Sequence, residues 1–149
     1  MPRRITRRQA VAGLGAMAVA APSRASATPQ AVRDWLAARA EGKAAQPGRI
    51  LLDLPEVAEN GASVPLAVSV QSPMTAAEHV TDLWIAADGN PNPGVIALSF
   101  GPDSGKAAVQ LRIRLAQSQT VHALARMNDG SLWTARREVK VTTGGCGAG

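Results

Sequence analysis

The 149-residue sequence holds one cysteine, no tyrosine, one phenylalanine and two histidines. A single cysteine excludes any disulfide within the chain. His79 and His122 stand apart, with neither a second histidine nor a cysteine at metal-ligand spacing, so no zinc-type site is predicted. A satisfied or solvent-facing imidazole accounts for each. No glycine-rich loop follows a strand and opens a helix, which removes support for nucleotide binding. The carboxylates are scattered. Glu56 and Glu59 flank a turn and are read as a solvated loop rather than a catalytic pair.

Acidic residues are missing altogether from the first 27 positions, where Arg3, Arg4, Arg7, Arg8 and Arg24 lie. The formal charge of +5 resides there: without those arginines, residues 28–149 carry eleven basic and eleven acidic side chains. A neutral domain gives no reason to expect a nucleic-acid partner. Long apolar runs are also absent. The stretch Ala10–Ala21 is too short and glycine-rich for a membrane anchor, which needs about 20 strongly apolar residues. Arg7-Arg8, that mild apolar run, and Ala25-Ser26-Ala27 follow one another as the parts of a twin-arginine export signal. Residues 1–27 are therefore expected to be the signal and the product to be periplasmic, without a membrane span.

Residues 28–48 read as a short N-terminal helix and linker. Pro29 suits a first helical turn, Val32, Trp35, Leu36 and Arg39 fall near helical spacing up to Ala45, and Gly42 ends the run. Beyond Pro47-Gly48 the apolar period becomes two, most clearly where Val109, Leu111, Ile113 and Leu115 alternate with Gln110, Arg112, Arg114 and Ala116. Turn signals at Asn60-Gly61, Asp88-Gly89, Asn90 to Gly94, Pro102 to Gly105 and Asn128 to Gly130 delimit seven strands: 49–54, 64–71, 80–87, 95–100, 107–115, 119–127 and 131–142. Short strands without intervening helices predict an all-β antiparallel sandwich over 49–142. Strand 109–115 and its neighbours are the expected partner face.

The chain closes on Thr143-Gly144-Gly145-Cys146-Gly147-Ala148-Gly149. Glycine has no side chain and the widest backbone freedom, so residues 143–149 are expected to form a slender, flexible arm. Gly144, Gly145, Gly147 and Gly149 supply clearance around Cys146. Five extended steps from Val141 reach about 17 Å. A free thiol titrates near about 8.5, leaving a few per cent thiolate at neutral pH. A glycine cord offers neither a cation nor fixed geometry to activate it. Cys146 therefore suits a covalent attachment point presented to enzymes on other chains, rather than a catalytic nucleophile. The alternative is a β-sandwich interaction module whose terminal cysteine only forms an intermolecular disulfide. Lipidation and prenylation are excluded by the position of Cys146 and the residues after it.

The ending Val141 to Gly149 resembles the glycine-rich cysteine arm of the SoxY family, the sulfur carriers of the periplasmic Sox thiosulfate-oxidising system. So do Leu52-Asp53-Leu54-Pro55-Glu56-Val57-Ala58-Glu59-Asn60-Gly61, Val64-Pro65-Leu66, Ser72-Pro73-Met74, Asn90-Pro91-Asn92-Pro93 and Arg112 to Gln119. Ala148 departs from the family's pattern by interrupting its terminal glycines. The resemblance implies an immunoglobulin-like sandwich and a SoxZ-like partner subunit in a heterodimer. It further implies a cycle of a c-type cytochrome, a hydrolase and a sulfur dehydrogenase acting on sulfur held at Cys146 as S-thiosulfonate and persulfide. The carrier itself would hold no cofactor.

Overall fold

The computed structural model describes residues 26–143. Its elements are α1 (Pro29–Ala40), β1 (Ala45–Pro47), β2 (Ile50–Asp53), β3 (Val57–Ala58), β4 (Val64–Val70), β5 (Val80–Ala87), β6 (Gly94–Ser99), a 3-10 turn (Pro102–Ser104), β7 (Ala108–Ile113), β8 (Gln119–Met127) and β9 (Leu132–Val141). Two sheets form. One has the order β1-β9-β8-β5-β6, with β3 also on β9, and the other has the order β2-β4-β7. This is the all-β sandwich that the period-two pattern predicts.

The alternation explains the packing. Val64, Leu66, Val68 and Val70 point inward from β4 while Pro65 stays exposed. They meet Leu83 and Ile85 of β5, Val121, Ala123 and Ala125 of β8, and Val139 of β9 in one continuous core. Burying a side chain of this size contributes about 1.5–3 kcal/mol. Val109 and Leu111, the cleanest pattern in the sequence, are only half-buried. The cause is position, since β7 is an edge strand.

The helix begins as predicted, with the Thr28 hydroxyl accepting the Ala31 N–H and Pro29 in the first turn. It stops at Ala40 rather than Ala45. Glu41 and Gly42 both take positive φ, at 52° and 76°, which reverses the chain. Ala45–Pro47 then joins the sheet as β1, so part of the expected linker is a strand. Leu36 and Ala40 cover Leu124, Leu132 and Trp84 on the outer face of the larger sheet. That face is consequently less wet than strand alternation predicts.

A second correction concerns strand direction. β1 pairs parallel with β9 through Ala45 and Leu132, and β3 pairs parallel with β9 through Val57 and Lys140. The expected sandwich was wholly antiparallel. Strands of three and two residues are too short to carry a readable period, and their partner lies some 80 residues further along the chain.

Candidate functional site

Cys146 and the arm glycines Gly144, Gly145, Gly147 and Gly149 lie outside the described residues, as does most of the leader; what the structure does describe is the root from which the arm departs. β9 delivers the chain to that root, and its final residues are held from two sides. Lys140 N–H donates to the Glu56 carbonyl at 2.9 Å, and Thr142 N–H to the Ala58 carbonyl at 3.0 Å. The Thr142 hydroxyl donates to the Glu59 carbonyl at 3.2 Å. Gly61 N–H closes the brace on the Thr143 carbonyl at 2.8 Å, and the Gly61 carbonyl in turn accepts the Leu115 N–H at 2.8 Å. On the opposite side, Val141 N–H donates to the Ser118 hydroxyl at 2.8 Å.

Five hydrogen bonds to the last four described residues fix the chain as far as Thr143. Three steps separate Thr143 from Cys146, at most about 10 Å of extended chain, against about 17 Å counted from Val141. The backbone carbonyls of Glu56 and Glu59 serve the brace. Sequence reading recognised Asn60-Gly61 as a turn but missed its role as the clamp. Asn60 shapes that turn through its Oδ1, which accepts the Ala62 N–H at 2.9 Å.

Beside the root, an open cleft of about 580 Å³ is lined by Glu56, Ser118, Thr120, Arg137, Glu138 and Lys140. Its charges are mixed. Gln119 also lines it, and is buried and satisfied: its amide donates to Asn90 Oδ1 and the Gln117 carbonyl, and its Oε1 accepts the Gly89 N–H at 2.8 Å. This network ties the start of β8 to the loop before β6.

The histidines take separate places. His79 is a turn residue, with Nδ1 2.9 Å from the Thr75 carbonyl and its N–H donating to Asn128 Oδ1. His122 sits on the outer face of β8, with Nε2 3.7 Å from Asp88 Oδ2 and no hydrogen-bond partner. Burial is the largest influence and pulls its pKa below the ordinary 6.5, against the opposing pull of Asp88. The long, unbonded geometry agrees with burial winning. Among the described residues, no three histidine, cysteine, aspartate or glutamate side chains converge on a metal position.

The fold and sequence have relatives. No curated protein matches the chain. Among solved structures, the sulfur carrier protein SoxY from Chlorobium limicola f thiosulfatophilum is 32% identical with a TM-score of 0.62, covering 76% of this chain and 97% of its own. A superoxide reductase (neelaredoxin) from Ignicoccus hospitalis is 27% identical with a TM-score of 0.57, covering 78% of this chain and 94% of its own. The family model described as sulfur oxidation protein SoxY matches residues 36–146, a span from the middle of α1 through the sandwich to the cysteine itself. The chain belongs to the SoxY family.

Proposed function

We propose that this protein is a covalent carrier of sulfur intermediates in periplasmic thiosulfate oxidation, with Cys146 as the attachment point. The observation that carries the reading is the junction of two regions. A strand end is braced by hydrogen bonds as far as Thr143, and the only cysteine of the chain follows three residues later among glycines. A braced root gives a thiol a defined origin, and a thin tail lets a narrow enzyme channel admit it without the sandwich. The likeness to a solved sulfur carrier supports the same role.

The chemistry falls to partner enzymes. A c-type cytochrome removes two electrons as the Cys146 thiol and thiosulfate join through a new S–S bond, giving the S-thiosulfonate and releasing the thiol proton. A hydrolase then cleaves the outer S–S bond with water, releasing sulfate and a proton and leaving a persulfide. A sulfur dehydrogenase oxidises the remaining sulfane sulfur to a sulfonate, taking three oxygens from water and passing six electrons to a c-type cytochrome as seven protons leave, and a second hydrolysis cleaves the S–S bond, releasing sulfate and a proton and returning the thiol. The carrier supplies covalent retention, so the reactive sulfane does not diffuse between enzymes. It supplies no cofactor and turns nothing over alone. The twin-arginine leader, which exports folded proteins, suits co-export with a SoxZ-like subunit.

The sandwich is immunoglobulin-like in this proposal. The order β2-β4-β7 against β9-β8-β5-β6 supports it, because these sheets correspond in sequence order to strands A-B-E and G-F-C-C′ of that fold.

Intact-mass analysis of the protein from cells grown on thiosulfate tests the proposal. Thiosulfonate or sulfane adducts are expected on the wild type and none on Cys146→Ser, which should retain its fold and lose thiosulfate oxidation. Unmodified thiol or interchain disulfide alone, with oxidation intact in the variant, would identify the cysteine as a mere dimer lock.

A further inference from the structure

The turn that clasps the root holds a second kind of chemistry. An asparagine side-chain amide lies within ring-closing reach of the backbone nitrogen of the next residue, and a glycine there puts no side chain in the way. Asn60-Gly61 has that pairing. The other three asparagines do not: Asn90 and Asn92 precede prolines, which have no N–H to give up, and Asn128 precedes Asp129. Asn60 is exposed, so water reaches its amide. Its Oδ1 accepts the Ala62 N–H at 2.9 Å. That donor faces the oxygen on which negative charge develops when a nucleophile adds to Cγ.

The nucleophile is withheld. Gly61 is buried, its N–H donates to the Thr143 carbonyl at 2.8 Å, and its own carbonyl accepts the Leu115 N–H at 2.8 Å. A peptide N–H held in this way keeps its proton until the bond opens locally. We infer that Asn60 is a deamidation site guarded by the arm root: the Thr143 carbonyl restrains the Gly61 nitrogen, and lifting the root releases it. This goes beyond the carrier reading and does not depend on Cys146. On release the Gly61 nitrogen gives up its proton and bonds to Asn60 Cγ. The Cγ–Nδ2 bond breaks, and ammonia leaves with that proton. Water then opens the succinimide ring at either carbonyl, giving aspartate or isoaspartate and a proton from the new carboxyl group. No oxidant or reductant takes part.

The same turn occurs once more with the wrong electrophile. At Asp129-Gly130, Asp129 Oδ1 accepts the Ser131 hydroxyl at 2.6 Å and the Ser131 N–H at 2.8 Å, and Gly130 N–H donates to the Met127 carbonyl at 2.9 Å. Those two bonds from Ser131 hold the Asp129 carboxyl below its ordinary pKa. It stays ionised, and a carboxylate resists attack. At Asp88-Gly89 the nitrogen is held at 2.8 Å by Oε1 of the buried Gln119, and the side chain is again an acid. Only Asn60 joins an amide electrophile to a nitrogen restrained by the end of β9. The product also bears on the root. Isoaspartate inserts a methylene into the backbone before Gly61, which shifts its N–H from Thr143 and its carbonyl from Leu115, so the clasp does not close again.

Ageing the purified full chain at mildly alkaline pH, with peptide mapping and isoaspartyl methyltransferase labelling, tests this. Wild type should deamidate slowly at Asn60 when folded, and in urea faster there than at its other asparagines. Thr142→Val removes the hydroxyl bond to Glu59 that steadies the root and should speed the reaction about fivefold, the factor for one hydrogen bond. Thr142→Pro deletes the N–H bonded to Ala58 and should be faster still; should it misfold by circular dichroism, Thr142→Val decides. Cys146→Ser should age at the wild-type rate. In the isoaspartyl fraction, separated by ion exchange, amide protection at Gly61 and Leu115 should be lost, whereas Asn60→Asp should keep it. An Asn60 rate unchanged in every folded Thr142 variant, equal rates for folded and urea-unfolded wild type, isoaspartate forming first at Asp129, or a protected Gly61 in the isoaspartyl fraction would each overturn the inference.

Discussion

The two edges of the larger sheet make opposite use of the same backbone chemistry. At β9 the outward N–H and carbonyl groups are consumed by short parallel strands and the 56–61 loop, and this consumption roots the arm. At β6 the equivalent groups of Ala97 and Ser99 meet no further strand among the described residues. Covering an edge pins the chain as far as Thr143, three residues before the cysteine. The uncovered edge lies three strands away.

Placing proline at each edge breaks the comparison most directly. Lys140→Pro deletes the N–H that donates to Glu56 and should lower stability by about 1–3 kcal/mol. Ala97→Pro, on the uncovered edge, should leave the urea midpoint nearly unchanged. Equal losses at both positions would show that the edges are not distinct.

Gly94 sharpens the picture at the uncovered side. A Cβ there would come within 2.5 Å of the Trp35 ring, which is itself capped by the Arg39 guanidinium 3.3 Å above it. Gly94→Val should displace α1 and cost about 1–3 kcal/mol, read as a lower urea midpoint with altered tryptophan fluorescence. On the covered side, Thr142→Val removes one side-chain hydrogen bond to Glu59. It should cost no more than about 1 kcal/mol yet accelerate amide exchange at Gly61, the last clasp on Thr143.

The smallest effect lies between the edges, on β8. His122 has its pKa depressed by burial, so the unfolded chain takes up its proton first as pH falls. The stability associated with neutral His122 is complete above about pH 6.5 and declines below it toward the depressed folded value. The urea midpoint of the wild type should therefore drop more between neutral and mildly acidic pH than that of His122→Gln. Identical drops would show that the imidazole titrates freely in the folded protein.

How far the sequence could be read depended on how local each feature is. The long strands β4, β5 and β8 show in the alternation of valine, leucine and isoleucine because side chains report their face every second residue. The start of α1 shows in Thr28 and Pro29. Its early stop at Ala40 does not, because Glu41 in a left-handed conformation carries no glycine signal. The solitary cysteine among glycines was legible throughout, since it is a property of composition. Its root was not: Glu56, Ala58 and Glu59 act through carbonyls, and the partners of a carbonyl are invisible until the chain is folded.

By itself the sequence determined a neutral β-rich domain after a basic N-terminal stretch, an aliphatic core and one thiol near the last residue, all consequences of residue type and spacing. The tertiary structure alone decided which strands end a sheet, which edge is covered and where the tail is pinned. Those outcomes follow from sheet order, which joins residues more than eighty positions apart through backbone groups that every residue shares.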